Sequence, residues 1–133
     1  MNDPALAVQG AYVARLKSQI TAVASRVYDR APQNVVFPFI QIGDIQTVED
    51  GADCIDGTEV FVTLHVWSRA VGRVEARQVA ASCRLALHEW LPDLTANGFR
   101  CVEHMHRDTR VMEDPDGLTS HGILNFRLLI DRM

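Results

Sequence analysis

The sequence predicts an α+β domain: an antiparallel sheet with two helices packed on one face, in the order α-β-β-β-α-β-β. Three observations lead there. Apolar residues recur at spacings of three and four in two segments, 4–25 and 69–91. Five further segments are rich in β-branched and aromatic residues, several with alternation of period two. The connections favour hairpins and lack the strict β-α alternation of a parallel, doubly wound sheet.

Each element has a local reason. Asp3 is a candidate N-cap and Pro4 suits the first helical turn. Val13, Leu16, Ile20, Val23 and Val27 then form one apolar stripe. "VYDRAP" (27–32) reads as a short strand closed by Pro32. In "FPFIQIGDIQTVED", Phe39, Gln41, Gly43 and Ile45 alternate with Ile40, Ile42, Asp44 and Gln46. The glycine- and aspartate-rich stretch that follows predicts a long acidic loop within 44–59. "TEVFVTLHVWS" (58–68) is the clearest strand, with Val60, Val62, Leu64 and Val66 on one face and Phe61, Thr63, His65 and Trp67 on the other. In the second helix Ala76, Ala80, Cys83, Leu87 and Trp90 keep helical spacing, and small residues there let it lie close on a sheet. Two last strands, 98–114 and 118–133, are joined by "DPDG" (114–117) as a hairpin turn.

At 133 residues, 47% hydrophobic and 23% charged, the chain fits one globular domain, 1–133. A net charge of −4 argues against a nucleic-acid binder that works by broad phosphate contact. Lys17 is the only lysine; arginine's planar fork suits fixed ion pairs and interfaces. No segment reads as a signal peptide, and no apolar run reaches the roughly 18 residues of a membrane span. Cys54, Cys83 and Cys101 form no CxxC pair, so a reducing cytoplasm is the expected setting.

The chemistry-bearing residues compete with bland readings. His104 and His106 point the same way on a strand, Asp108 follows two residues later, and His121 on the partner strand could approach them. Such a set would suit zinc or iron, and a small metal-dependent enzyme on His104, His106 and His121 is the alternative function. The opposing reading is a solvent-facing strand with polar residues. Asp44, Glu49, Asp50, Asp53, Asp56 and Glu59 do not keep the spacing of a calcium loop, and a solvated or docking loop fits better. No P-loop, G-x-G-x-x-G or G-x-S-x-G occurs, and the His88-Glu89 start of H-E-x-x-H meets Pro92. Neither a catalytic residue nor a cofactor is therefore expected. A small dimeric ligand-binding module is a third class. "LHVWSR" (64–69) belongs to a strand apolar on both faces, which must be covered on both sides: one cover is the domain's own helices, and the second face meets either a helix or a neighbouring subunit.

"PFIQIGD" (38–44), the acidic loop, "VFVTLHVWSRAVGRVEA" (60–76), a small-residue helix and a closing hairpin together resemble the tail completion, or tail terminator, proteins of long-tailed bacteriophages and gene transfer agents. The resemblance spans nearly the whole chain and implies a non-enzymatic virion component. Such a protein assembles in the bacterial cytoplasm as a homo-oligomeric ring, typically a hexamer, on the end of a tail. It implies three kinds of partner: other copies of the chain, the major tail tube protein, and a head-tail connector or stopper. DNA passes through the lumen without specific binding, and no membrane is involved. The expected oligomer or tube contacts are Asp44, Glu49, Asp50, Asp53, Asp56, Glu59, Trp67 and Arg69. The resemblance assigns no role to "HMH" (104–106).

Overall fold

The computed structural model describes residues 3–50 and 57–133. Helix α1 (Ala5–Gln19) and a short 3-10 turn (Thr21–Val23) precede β1 (Val27–Tyr28), β2 (Phe39–Asp50) and β3 (Gly57–Ser68). Helix α2 (Val74–Leu87), a second 3-10 turn (Thr95–Asn97), β4 (Phe99–Glu113) and β5 (Ser120–Arg132) complete the chain. The fold is α+β, as the sequence predicts. Its five strands lie in the order β1-β2-β3-β5-β4, antiparallel except for the short parallel pairing of β1 with β2.

Helix α1 is shorter than its apolar periodicity suggests. Its buried stripe is Val8, Tyr12 and Leu16, continued by Ile20 just past the helix. Ala24 and Ser25 take left-handed backbone conformations that no helix continues through, so Val23 and Val27 reach the core from the turn and from β1. Asp3 acts one position before the cap, its Oδ1 accepting the Ala5 N–H at 2.8 Å. Helix α2 starts after Gly72, whose φ of 77° favours glycine, and buries Ala76, Val79, Ala80, Cys83, Ala86 and Leu87. Trp90 lies beyond it and packs on Tyr12. Under α2, a Cβ on Gly122 would sit 3.3 Å from Val66 Cβ and 3.8 Å from Ala80 Cβ, so glycine there lets helix and sheet approach closely.

The core lies between the helices and one sheet face, built from Ile40, Ile42, Val60, Val62, Leu64, Val66, Leu124, Phe126, Leu128 and Ile130. Three β-bulges, one in β2 and two in β4, shift which side chains join it. One lies between Ile42 and Ile45 in β2 and shifts the side-chain parity, so Ile45 packs on the same core as Ile40 and Ile42 instead of alternating with them. Strand pairing also runs from Ile45 to Asp50 opposite Gly57 to Val62, so the expected loop at 44–59 is strand over 44–50 and 57–59. Its centre, with Asp53, Cys54 and Asp56, falls outside the described residues.

The corner from β3 to α2 is fixed by polar contacts. Ser68 is fully buried; its hydroxyl donates to Glu75 Oε1 at 2.8 Å and accepts the Ala70 N–H at 3.2 Å. Ser120 donates to the Gly72 carbonyl at 3.0 Å. In the β4–β5 turn, Asp116 accepts from the Leu118 and Thr119 amides and the Thr119 hydroxyl, while Gly117 has φ 72°. Replacing Ser68 with alanine leaves the Ala70 amide and Glu75 short of a partner. The expected loss is about 1–2 kcal/mol, read by urea denaturation.

Candidate assembly interface

Both helices lie on one side of the sheet, so the other face is bare in the isolated chain. Along β3 the alternation puts Phe61, Thr63, His65 and Trp67 there, each only half-buried. β5 adds His121, Ile123, Asn125, Arg127 and Leu129 in register.

An aromatic and imidazole run crosses this face. Phe37 packs edge-on to Phe39, Phe39 stacks on Trp67, and Trp67 lies flat on His121 with ring centroids 3.8 Å apart and 9° between planes. His121 Nε2 and His65 Nδ1 are 2.7 Å apart, a hydrogen bond in which one ring donates and the other accepts. Burial lowers the pKa of both imidazoles, with Asp44 opposing this at His65 and Asp114 at His121. The Trp67 indole nitrogen is buried without a hydrogen-bond partner among the described residues. Arg69 stacks over the Phe37 ring at 4.2 Å and donates to the Thr119 hydroxyl at 3.3 Å.

The polar groups elsewhere on the face are matched to one another. Thr63 donates to Asn125 Oδ1 at 2.8 Å, and the Asn125 amide donates to Asp108 at the same distance. Arg127 on β5 bridges Glu59 on β3 and Glu103 on β4, tying three strands together. Arg107 lies over the Phe61 ring at 5.3 Å.

The expected contact residues are distributed as follows. Asp44 is exposed in the β2 bulge and lines a cleft with Asp29, Arg30, Gln41, Gly43, His65 and Trp67. Glu49 is exposed near the end of β2, Asp50 pairs with Gly57 through the backbone, and Glu59 is held by Arg127. Asp53 and Asp56 lie outside the described residues. The structure brings together Asp44 and Trp67, and among the described side chains Asp44, Glu49 and Glu59 do not form one cluster. Sequence reading missed the His65–His121 bond and the role of Gly43. A Cβ on Gly43 would come within 2.5 Å of His65 Nε2 and 2.9 Å of the Thr63 carbonyl, so glycine makes room for the imidazole.

The histidine triad does not assemble. His104 and His106 pair with Leu128 and Phe126 and face the helices, whereas His121 faces the open side. One of the β4 bulges, between His106 and Asp108, reverses parity, so Asp108 leaves the face of His104 and His106 and bonds Asn125. His104 Nε2 lies 2.6 Å from Tyr12 Oη, a hydrogen bond that ties β4 to α1. Among the described residues no group of three His, Cys, Asp or Glu is placed to hold a metal. Burial pushes the Cys83 thiol up to about 12 and Cys101 to about 11, which leaves both unreactive near neutrality.

The comparisons with known proteins agree with this architecture. The profile of the family "Tail completion protein gp17" matches residues 10–131. The chain belongs to that family of phage tail completion proteins. The gp17 tail completion protein of Bacillus phage SPP1 is 28% identical over 127 residues, covering 94% of this chain and 92% of that protein. A chain in the virion of a native gene transfer agent particle superposes with a TM-score of 0.77 at 19% identity, covering 92% of this chain and 93% of the other. The structure of bacteriophage SPP1 gp17 gives 0.58 at 23% identity, covering 92% and 87%. These two likenesses establish the fold. No helix among the described residues is long and apolar enough to cross a membrane.

Two measurements check this description. Gly43→Ala should cost roughly 1–3 kcal/mol, because the His65 ring and the Thr63 carbonyl must both shift. Differential scanning calorimetry reads it as a lowered Tm. Burial lowers the His104 pKa from 6.5 to about 4. The unfolded chain therefore takes up this proton first. The stability is fully present above pH 6.5 and is lost as pH falls towards 4, on the order of 2–3 kcal/mol. His104→Gln should remove that share of the slope in denaturation series across this range.

Proposed function

We propose that this chain is a structural part of a phage, prophage or gene transfer agent tail. In this reading it forms a homo-oligomeric ring of six subunits on the tail tube. The ring stops tube polymerisation and offers the surface on which the head, through a connector or stopper protein, is joined. The observation that carries the reading is the family match over nearly the whole chain, on a fold whose central strand is covered on one face only. A ring needs a contact between two different surfaces of each subunit. The bare face, with Trp67 and Phe61 half-buried on it, has the aromatic content of such a contact.

The acidic segment from Asp44 to Glu59 is then the part that meets the tube or lines the lumen, with Asp44, Glu49, Asp50, Asp53 and Asp56 as contact residues. Glu59 has a further duty, since Arg127 neutralises it. Trp67 and Arg69 sit where the bare face meets the β3–α2 corner, and would belong to the subunit contact. A lumen without excess positive charge lets DNA slide past, because few phosphate counterions are released. The role is mechanical and needs no catalytic group.

The test has two arms. Purified protein should show rings in negative stain, and particles made without it should carry abnormally long tubes; strict monomers at all concentrations together with normal tails would sink the proposal. Val48 is 40% exposed on β2. Val48→Arg should leave stability within about 0.5 kcal/mol, as exposed substitutions do. Sedimentation should show weaker assembly if β2 contributes to the contact.

A further inference from the structure

We propose that His65 and His121 form a proton-operated clasp on the bare sheet face, closed while the pair carries at most one extra proton and opened by a second. The geometry sets the counting. Nδ1 of His65 and Nε2 of His121 lie 2.7 Å apart, and each nitrogen must be either donor or acceptor. In the neutral pair one inner nitrogen carries hydrogen and the other is bare. A first added proton goes to an outer nitrogen and leaves the bridge as a charge-assisted N–H···N bond. A second puts hydrogen on both inner nitrogens, so the bond is lost and two cations face each other.

The surroundings decide how hard that second step is. On β2, Asp44 favours charge on His65, and the cleft beside it also holds Asp29 and Arg30. From β4 and the following turn, Arg110 opposes and Asp114 favours charge on His121. The helices, packed on the other face, contribute nothing here. Both pKa values are lowered, chiefly by burial, in keeping with a pair that resists the dication.

Opening would be felt at once by two neighbours. Trp67 lies flat on His121, and Gly43 has its backbone against the His65 ring, so neither imidazole can swing without disturbing β2 or the indole. The clasp stands on this chain alone. Its consequence, that acid loosens the subunit contact, rests on the ring reading above.

The experiment uses the full chain carrying Trp90→Phe, so that Trp67 is the only indole. Imidazolium quenches a stacked indole, so emission should fall in two resolved steps between about pH 8 and about pH 4. In the added variant His121→Gln the amide oxygen accepts from His65 in either charge state, and the second step should vanish. Imidazole nitrogen shifts in the unaltered chain should show His65 and His121 titrating as one coupled pair. Two independent single-step titrations, or an unchanged emission curve in His121→Gln, overturn the clasp. Sedimentation at the same pH values separates the two ideas. A coupled titration without rings at any pH supports the clasp and counts against the ring, whereas rings with independent histidines do the reverse.

Discussion

The constraint on which this structure depends is that β3 is apolar on both faces while the chain has helices for only one. Val60, Val62, Leu64 and Val66 are sealed beneath α1 and α2, and β5 supplies Leu124, Phe126, Leu128 and Ile130 beside them. The opposite face carries Phe61, His65 and Trp67 in the same central strand, each half-buried, with no helix over it among the described residues. An antiparallel sheet tolerates a wet face when that face is polar. This one is half aromatic, and the chain manages it by stacking rings on rings and by closing polar groups on each other. The Trp67 indole donor, buried within the chain itself, meets no acceptor among the described residues.

Much of this was legible from period alone. The alternation in β3, the small-residue stripe of α2 and the turn at Asp114–Gly117 all encode local physics, and each element formed there, although α2 stops at Leu87, short of Trp90. The pattern failed at the bulges. In β2 the bulge returned Ile45 to the core, and in β4 a bulge sent Asp108 to the side opposite His106. A bulge moves one residue out of step with no compositional mark beyond a glycine, and every inference about shared faces past that point inverts. The bulge cost the imagined metal site its carboxylate, Asp108, whereas His121 misses it by plain alternation, since it opposes Met112 and lies on the other face of β5 from Phe126 and Leu128.

The candidate site was less legible, for a different reason. His65 and His121 are separated by 56 positions and meet diagonally across two strands. That meeting is fixed by the β3–β5 register, in which Trp67 opposes His121, and no spacing in the sequence encodes it. Family resemblance could point to a tail protein because it draws on the whole order of elements. It offered nothing on which imidazoles pair, since that is a property of individual side chains.

The arginine bias shows how a compositional hint acquires a structural meaning. Read from composition, one lysine among so many arginines suggested partners. In the folded chain many guanidinium groups are committed internally. Arg15 donates to the Ala86 carbonyl and lies over Trp90, joining the two helices. Arg26 donates to the Pro38 carbonyl beside β1 and β2. Arg127 spans carboxylates on two other strands, and Arg69 and Arg107 each cover a phenylalanine ring. A lysine is a point charge with a flexible stem and would meet few of these planar, directional demands. The arginines therefore close seams within the chain, and Arg127, set against both Glu59 and Glu103, offsets one of those two charges on the bare face while it holds β3, β4 and β5 together.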